Sequence, residues 1–149
     1  MPIEFSFHTF SSLDPLTLYE WLALRIEVFV VEQTCPYQEC DGKDPHAIHM
    51  LARVEEKLVA GCRILAPGIS YAGYASIGRV VTHPDARGKG YGQTMMLEAI
   101  AYCRQHFSEP VKISAQAYLE DFYTELGFTT VSEPYLEDDI PHVAMVLHH

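Results

Sequence analysis

Glycine and positive charge are concentrated in one short stretch, the run Arg87-Gly88-Lys89-Gly90-Tyr91-Gly92-Gln93. Glycines at alternate positions allow the backbone to approach an anion without interference from Cβ atoms. Apolar residues follow at spacings of three and four: Met95, Met96, Ala99, Ile100 and Cys103. This spacing predicts a helix, and a helix N-terminus offers unpaired N–H groups and a positive dipole end. The stretch therefore predicts a phosphate-binding loop rather than an ordinary glycine-rich turn.

Two common phosphate loops do not fit this run. The dinucleotide fingerprint Gly-x-Gly-x-x-Gly needs a third glycine where Gln93 stands. The P-loop needs Ser or Thr directly after its lysine, whereas Lys89 is followed by Gly90. The pattern that remains is Arg-x-x-Gly-x-Gly, on Arg87, Gly90 and Gly92.

Hydrophobic periodicity predicts the elements that would position this loop. Residues 74–82 form an apolar, β-branched strand that leads directly into it. Asp14 before Pro15 predicts the start of a helix. Arg25 lies in the apolar stripe of that helix, where it either snorkels to the surface or enters a polar pocket. The other predicted elements are strands at 3–10, 46–54, 58–65, 111–115, 128–131 and 143–147 and a helix at 118–126 that ends at Gly127.

A long, turn-rich loop is predicted after the first helix, from residue 30 to residue 45. Loops of this length are often functional. The loop carries Tyr37 and four carboxylates: Glu32, Glu39, Asp41 and Asp44. Two interpretations stay open, because the carboxylates could keep the loop solvated or could form the wall of an acceptor site that attracts an amine.

Composition indicates one globular domain over residues 1–149 that binds neither nucleic acid nor membrane. The formal net charge is −10, from 10 Lys and Arg against 20 Asp and Glu, so the basic surface that nucleic acids require is missing. No apolar run approaches the roughly twenty residues that cross a bilayer, and the N-terminus does not resemble a signal peptide. We therefore expect a cytoplasmic protein with four reduced thiols, at Cys35, Cys40, Cys62 and Cys103.

Several motifs together resemble the GNAT-type N-acetyltransferases. Arg87, Gly90 and Gly92 match the family's pyrophosphate loop for acetyl-coenzyme A (acetyl-CoA), and residues 123–128 match its Tyr-x-x-x-Gly-Phe signature. Residues 25–33, followed by Cys35-Pro36-Tyr37 and Asp41-Gly42, resemble the ElaA-like branch of that family. The resemblance covers nearly all of the chain. It implies an α/β fold with a mixed, mainly antiparallel splayed sheet and helices on both faces.

The resemblance also implies that an acetyl group moves from acetyl-CoA to a primary amine, without a metal. The residues that it implies for cofactor binding are Val80, Val81, Thr82, Arg87, Gly88, Lys89, Gly90, Tyr91, Gly92, Gln93, Gln116 and Tyr123. Tyr123 would also protonate the departing thiolate, unless it is only a helical aromatic that packs. An amine must lose a proton before it attacks, and the base candidates, acting through water, are Glu32, Asp41 and His46.

The predicted acceptor is a small-molecule or peptide amine, and a cationic one because the protein is acidic. The protein itself is expected as a monomer or a homodimer. Two alternatives from other functional classes stay open. One is an acetyl-CoA-binding module without catalysis. The other is a small zinc-binding module that uses Cys35, Cys40, His46 and His49.

Overall fold

Eight strands form two antiparallel sheets in this computed structural model, which describes residues 2–149. The first sheet consists, in hydrogen-bonded order, of β1 (Glu4–Thr9), β2 (Ile48–Val54), β3 (Lys57–Leu65) and β4 (Ser76–Thr82). The second consists of β5 (Val111–Gln116), β6 (Thr129–Thr130), β7 (Tyr135–Glu137) and β8 (Ile140–Leu147). In the second sheet β8 lies between β5 and β6 and also pairs with β7.

The two sheets meet where β4 and β5 begin. Ala75 and Val111 form a parallel bridge, in which the Ala75 N–H donates to the Pro110 carbonyl at 3.0 Å and the Lys112 N–H donates to the Ala75 carbonyl at 2.8 Å. Beyond this bridge β4 pairs with β3 and β5 pairs with β8, so the two strands separate. This separation opens a cleft between the sheets and confirms the predicted splay.

The first helix, α1 (Pro15–Ile26), begins where the sequence predicted. The Asp14 side chain caps it, because one carboxylate oxygen accepts the Thr17 N–H at 2.8 Å. The prediction that a loop begins at residue 30 is wrong. The chain continues in π-helical geometry over Glu27–Glu32, since the Gln33 N–H donates to the Val28 carbonyl at 3.2 Å, five residues back. A 3.6-residue period cannot reveal such a widened turn.

Helix α2 (Tyr91–His106) follows the glycine run, and all five residues of its predicted apolar stripe are buried. The predicted helix at residues 118–126 is shorter in the structure, where α3 (Glu120–Glu125) follows a 3-10 turn over Ala117–Leu119. It ends before Gly127, whose positive φ of 106° fits the predicted C-cap. Strand β7 was not predicted.

Helices cover both faces of the first sheet. Met50, on β2, packs into the apolar cluster that contains the buried face of α2. Its neighbour Leu51 points to the opposite face and packs with Trp21 of α1. Trp21 lies directly on Gly61 of β3, where a Cβ would come within 2.4 Å of the indole ring. Within residues 2–149 no helix has the length and apolar character that crossing a membrane requires.

Candidate active site

A cleft of about 610 Å³ lies where β4 and β5 separate. One wall is β4, from Ile77 to Thr82, and the other is β5, from Ile113 to Gln116. The π-helical segment closes one side, with Val28, Phe29 and Glu32. Other parts of the chain also line the cleft, among them Arg87 and Gly92 of the glycine run, Phe122 and Tyr123 of α3, and Glu137, Asp138, Ile140 and His142 of the β7–β8 hairpin.

Strand β4 carries a bulge beside this cleft. Gly61 pairs with Val81 and Arg63 pairs with Gly78, so Arg79 and Val80 together oppose the single residue Cys62. Arg79 has a positive φ of 49°, which places it in the left-handed region. Bulges bend a strand and redirect its side chains. Here the bulge places Val80 on the cleft wall beside Arg79.

The glycine run has the backbone geometry that an anion-binding loop needs. Gly88 and Gly90 have positive φ values of 81° and 78°, and no atom lies within 4 Å of the position that a Cβ would take at either. Gly90 is the N-cap of α2, and the first bond of the helix runs from the Thr94 N–H to the Gly90 carbonyl at 3.1 Å. The three N–H groups before Thr94 therefore have no partner inside the helix.

Arg87, at the start of the run, pairs with Glu32 of the π-helical segment. Its two terminal nitrogens each donate to one Glu32 oxygen at 2.6 Å, and its Nε donates to the Thr82 carbonyl at 3.2 Å. The Arg87 side chain is 43% exposed and that of Glu32 is 37% exposed. The hydrogen bond from Arg87 lowers the pKa of Glu32. The pair joins two sides of the cleft and makes Glu32 a weaker base.

Gln33 and Gln116 make a second contact between the sides of the cleft. The Gln33 amide donates to the Gln116 oxygen at 3.1 Å, and the Gln116 amide donates back at 3.2 Å. Gln116 was predicted as a cofactor ligand, whereas Gln33 was not. The π-helical geometry brings Gln33 to this place, which is why the sequence pattern did not single it out.

Tyr123 is 6% exposed and lines the cleft from α3. Its ring packs edge-on against Phe122 and Phe128, at centroid distances of 5.1 Å and 5.8 Å. Burial raises the pKa of its hydroxyl far above the usual value, so the group is a neutral phenol at physiological pH. A neutral phenol in the cleft can donate a proton.

The carboxylates of the predicted acidic loop are paired with arginines. Glu39 and Asp44 are buried, so they neither keep the loop solvated nor form the wall of an acceptor site, and both interpretations are wrong for these two residues. Arg25 is fully buried, and its guanidinium donates to Glu39 at 2.9 Å and to Asp44 at 2.9 Å. Arg79 donates to the same Glu39 oxygen at 2.6 Å. Arg63 donates to Asp44 at 3.1 Å. Arg25 thus enters a polar pocket, and we call this group, with Asp41, the ionic network.

Asp41 lies at the more exposed edge of the ionic network. It accepts two hydrogen bonds from Arg63 at 2.8 Å, and it is outside the cleft lining. Burial acts to raise the pKa of Asp41, but the hydrogen bonds from Arg63 and from the Lys43 N–H outweigh it and lower the pKa well below its usual range. His46 is exposed and also lies outside the lining. Neither position favours a role as the base that deprotonates the amine. The identity of that base stays a prediction.

The residues of the zinc alternative do not converge. His49 is buried and uses both ring nitrogens, since Nδ1 accepts the Trp21 N–H at 3.0 Å and Nε2 donates to the Asp44 carbonyl at 2.9 Å. The Cys35 thiol donates to the Asp138 carbonyl at 3.3 Å, while Cys40 is exposed. Over residues 2–149 the structure contains no group of three or more His, Cys, Asp or Glu side chains that could hold a metal ion.

Comparison with known proteins identifies the family. The family model described as an acetyltransferase (GNAT) domain matches residues 22–149. The chain belongs to the GNAT acetyltransferase family. The Escherichia coli protein ElaA is 42% identical over 138 residues, which cover 91% of this chain and 90% of that protein. This likeness places the chain in the ElaA-like branch and confirms the predicted resemblance.

Solved structures of GNAT relatives confirm the predicted fold. The crystal structure of Escherichia coli ElaA superimposes with a TM-score of 0.92 and 39% identity, over 99% of this chain and 100% of that chain. An acyl-CoA N-acyltransferase from Pseudomonas aeruginosa superimposes with a TM-score of 0.91 and 42% identity, over 98% of this chain and 99% of that chain. The family makes this GNAT protein an acyltransferase.

The cleft collects about half of the residues predicted for cofactor binding. Those that line it are Val80, Val81, Thr82, Arg87, Gly92, Gln116 and Tyr123. Gly88, Lys89, Gly90, Tyr91 and Gln93 lie on the adjoining loop and the first turn of α2, and Lys89 and Tyr91 border a separate cleft of about 370 Å³. Sequence reasoning missed the polar residues of β7–β8, although the run Glu137-Asp138-Asp139-Ile140 carries a recognisable turn signal.

Proposed function

We propose that this protein is an acetyl-CoA-dependent N-acetyltransferase whose acceptor is a primary amine. The observation that carries the proposal is the cleft between the separating strands β4 and β5, which ends at the glycine run and the N-terminus of α2. A long ligand with an anionic end fits this arrangement, because the helix N-terminus and the left-handed glycines favour a pyrophosphate while the strands offer an extended wall.

The residues present fit acetyl-CoA. The N–H groups of the first turn of α2, with Arg87, would hold the pyrophosphate, and Val80 to Thr82 and Gln116 would hold the arm that carries the acyl group. The cofactor supplies an activated acetyl thioester. A GNAT acetyltransferase from Elizabethkingia anophelis with acetyl-CoA bound has the same fold, at a TM-score of 0.71 and 13% identity. That likeness supports the fold, and the ligand of that protein motivates the choice of cofactor.

Tyr123 would act as the proton donor to the departing thiolate. Its buried phenol stays neutral, and its place on the cleft wall suits contact with the reacting end of the cofactor. The amine partner has the opposite requirement, because an alkylammonium with a pKa near 10 must lose a proton before it can attack. We propose a small-molecule or peptide amine as the acceptor, and a cationic one because the chain has a net charge of −10.

Thermal unfolding with acetyl-CoA tests the cofactor assignment. A ligand that binds only the native state adds about 2.7 kcal/mol to the free energy of unfolding at a hundredfold excess over its Kd. We expect acetyl-CoA to raise Tm and NAD or ATP to leave it unchanged. The reverse pattern would exclude the assignment.

A matched pair of glycine variants locates the site. Gly90→Val introduces a side chain beside the N-terminus of α2, and we expect it to abolish the acetyl-CoA response. Gly73→Val is the control, because Gly73 has a φ of 80°, nothing within 4 Å of its Cβ position, and a place outside the cleft lining. Both variants carry similar backbone strain. Equal binding by the two variants would place the pyrophosphate elsewhere.

Catalysis is separated from binding by release of the CoA thiol. The purified protein is incubated with acetyl-CoA and a panel of polyamines, amino acids, aminoglycosides and peptides, and thiol release above the hydrolysis background is measured. We expect release with at least one cationic amine. Binding of acetyl-CoA without release in any panel would favour the non-catalytic alternative.

A further inference from the structure

Four polar side chains of the second sheet form a connected cluster in or beside the cleft. Ser114 lies on β5, Tyr135 and Glu137 lie on β7, and His142 lies on β8. The Ser114 hydroxyl is 2.5 Å from the Tyr135 hydroxyl and donates to Glu137 at 3.0 Å. The other Glu137 oxygen is 3.4 Å from Nε2 of His142. Neither the cofactor site nor Tyr123 uses these groups.

The backbone fixes the tautomer of His142. Its Nδ1 lies 2.7 Å from the carbonyl oxygen of Ile140, which can only accept a hydrogen bond. Nδ1 therefore carries the proton, and in the neutral ring Nε2 has a lone pair. The ring is 6% exposed and stacks on Tyr135 at a centroid distance of 6.2 Å. In its neutral form, a buried imidazole with this fixed orientation presents the Nε2 lone pair and can accept a proton there.

Nε2 of His142 and the nearby Glu137 oxygen are both acceptors when the ring is neutral. Two acceptors 3.4 Å apart form no hydrogen bond until a proton or a donor group comes between or beside them. An ammonium group supplies such donors and also a positive charge. The Glu137 side chain is 50% exposed and Asp138, next to it, lines the same cleft, so a charged amine reaches this position from solvent.

We propose that Glu137 binds the ammonium form of the acceptor and that His142 accepts its proton. The proposal rests on the proposed N-acetyltransferase function and names the base that the sequence left open. In the β5–β8 register His142 stands directly opposite Gln116, which lines the cleft, so the base lies one strand from a predicted cofactor residue. Glu32 and Asp41 suit this task less, because arginine side chains already occupy their carboxylates.

The ammonium R–NH3⁺ gives one proton to Nε2 of His142 and becomes R–NH2, whose lone pair forms a bond to the carbonyl carbon of the acetyl thioester. The carbon–sulfur bond breaks, and its electron pair leaves with the CoA thiolate. The nitrogen releases a second proton to solvent, Tyr123 gives its phenolic proton to the thiolate, and solvent returns a proton to Tyr123, which gives the amide and the thiol. His142 returns its proton to water beside Glu137.

Two small amines of similar shape and different basicity test the role of His142. Ethylamine is an ammonium ion at neutral pH, whereas the fluorines of 2,2,2-trifluoroethylamine keep it mostly neutral, so only ethylamine needs a base. We expect His142→Gln to lower kcat/KM for ethylamine about 10²- to 10⁴-fold, and for trifluoroethylamine less than about tenfold. Equal losses for the two amines would overturn the proposal.

Substitutions at two acidic residues of the β7–β8 hairpin test whether the charge at position 137, rather than any negative charge in the hairpin, binds the amine. Glu137→Gln should raise KM for ethylamine more than for trifluoroethylamine, because only the first amine arrives charged. Asp139→Asn is the control, since it removes one negative charge from the same turn and keeps a side chain that tolerates the φ of 62° there. We expect this variant to match the parent. Equal KM changes in both variants would contradict the role of Glu137.

NMR of the histidine ring decides the proposal without turnover. In ligand-free protein with ¹⁵N-labelled histidine, the His142 signals are assigned by their absence in His142→Gln. We expect protonated Nδ1 and unprotonated Nε2 at pH 7.5, and a shift of the Nε2 signal when ethylamine is added. Protonated Nε2 with bare Nδ1, or no response to ethylamine, would overturn it. Failure of acetyl-CoA to raise Tm would instead reject the proposed function, and the NMR result would still stand.

Discussion

The ionic network and the cluster of Ser114, Tyr135, Glu137 and His142, which we call the His142 cluster, both place carboxylates beside basic side chains, but in opposite arrangements. In the network Arg25, Glu39 and Asp44 are buried and held together by hydrogen bonds of about 2.9 Å. In the cluster the closest approach between Glu137 and His142 is 3.4 Å, and the Glu137 side chain is half exposed. The first region has its charges neutralised, whereas the second has an acceptor pair that faces the cleft.

This difference indicates that the ionic network serves stability and that the His142 cluster serves ligand binding. A buried charge that loses its partner is strongly destabilising, so the network holds the loop from Tyr37 to Asp44 against α1 and the bulge of β4. The Glu137–His142 acceptor pair has one half-exposed member, the Glu137 carboxylate, and is available to a ligand from the cleft. We therefore expect changes in the network to affect folding, and changes in the cleft to affect turnover.

The largest effect is expected from Arg25→Gln. The substitution leaves Glu39 and Asp44 without one of their cations in a buried place, and breaking a buried ion pair in this way costs about 3 to 5 kcal/mol. The measurement is the free energy of unfolding from urea denaturation. The control is Arg53→Gln, since Arg53 makes a partly exposed ion pair with Glu20 at 3.5 Å, of a kind worth about 0 to 1 kcal/mol. Similar losses of unfolding free energy in the two variants would show that the buried network stabilises the fold no more than a surface ion pair does.

Acidification should lower the free energy of unfolding in two stages, first through His49, which contacts the Asp44 carbonyl beside the network, and then through the carboxylates of the network. Burial lowers the pKa of His49, so the unfolded chain takes up a proton that the folded state refuses, and stability falls once the pH drops below about 6.5. Arg25 and Arg63 outweigh the burial of Asp44 and lower its pKa, so its contribution is complete above about pH 4 and is lost as the pH falls through the lower folded value.

Urea denaturation between pH 7.5 and pH 3 measures both stages. Asp41 has a lowered pKa for the same reason as Asp44, so Asp41→Asn should reduce the loss of stability below about pH 4. Asp139→Asn, in an exposed turn, serves as the matched removal of a carboxylate. A parent whose stability does not change between pH 7.5 and pH 3 would show that the network carries no such linkage.

The sequence predicted the parts of this molecule that depend on local periodicity or local chemistry. The buried stripe of α2, the cap at Asp14 and the stop at Gly127 follow from spacing and residue type within one element. The Arg-x-x-Gly-x-Gly run indicated the family because its residue types alone predict both a glycine backbone conformation and a positive charge. These features can be predicted without knowing which residues distant in the sequence contact them in the fold.

The remaining features depend on partners far away in the chain. Arg25 and Asp44 are 19 residues apart, and Arg79 and Glu39 are 40 apart, so the sequence shows the carboxylates but not the arginines that neutralise them. The wide turns before Gln33 break the 3.6-residue period. His142 stands in an apolar strand, and the role proposed for it follows only from its place beside Glu137 and the Ile140 carbonyl.

Tyr123→Phe should affect turnover and leave stability nearly unchanged. The substitution keeps the ring between Phe122 and Phe128 and removes only the hydroxyl. We expect kcat to fall about tenfold, or about 1.4 kcal/mol, because a thiolate with a pKa near 8.5 leaves fairly well without help. The Kd for acetyl-CoA should change little. Tyr102→Phe, in a stacked aromatic outside the cleft lining, is the control. An unchanged kcat in Tyr123→Phe would show that the hydroxyl donates no proton in the reaction and that Tyr123 only packs in the fold.

The smallest effect is expected from Glu32→Gln, in an ion pair that belongs to the cleft and not to the network. Its bond to Arg87 is exposed, so the free energy of unfolding should change by about 0 to 1 kcal/mol. The same guanidinium is proposed to bind the pyrophosphate, so Glu32 competes with the ligand, and its removal should tighten acetyl-CoA binding by up to about fivefold. The gain should shrink in high salt, because screening already weakens the exposed pair in the parent.

Calorimetric titration of acetyl-CoA into Glu32→Gln and into Glu27→Gln, at low and high salt, measures this competition. Glu27 lies exposed at the start of the same π-helical segment, so its substitution removes the same charge from the same element. Tighter binding in Glu32→Gln alone supports a carboxylate that gives way to the pyrophosphate. If binding is unchanged and turnover at saturating acetyl-CoA falls instead, Glu32 acts on the amine, and the base assigned to His142 would have to be shared with it.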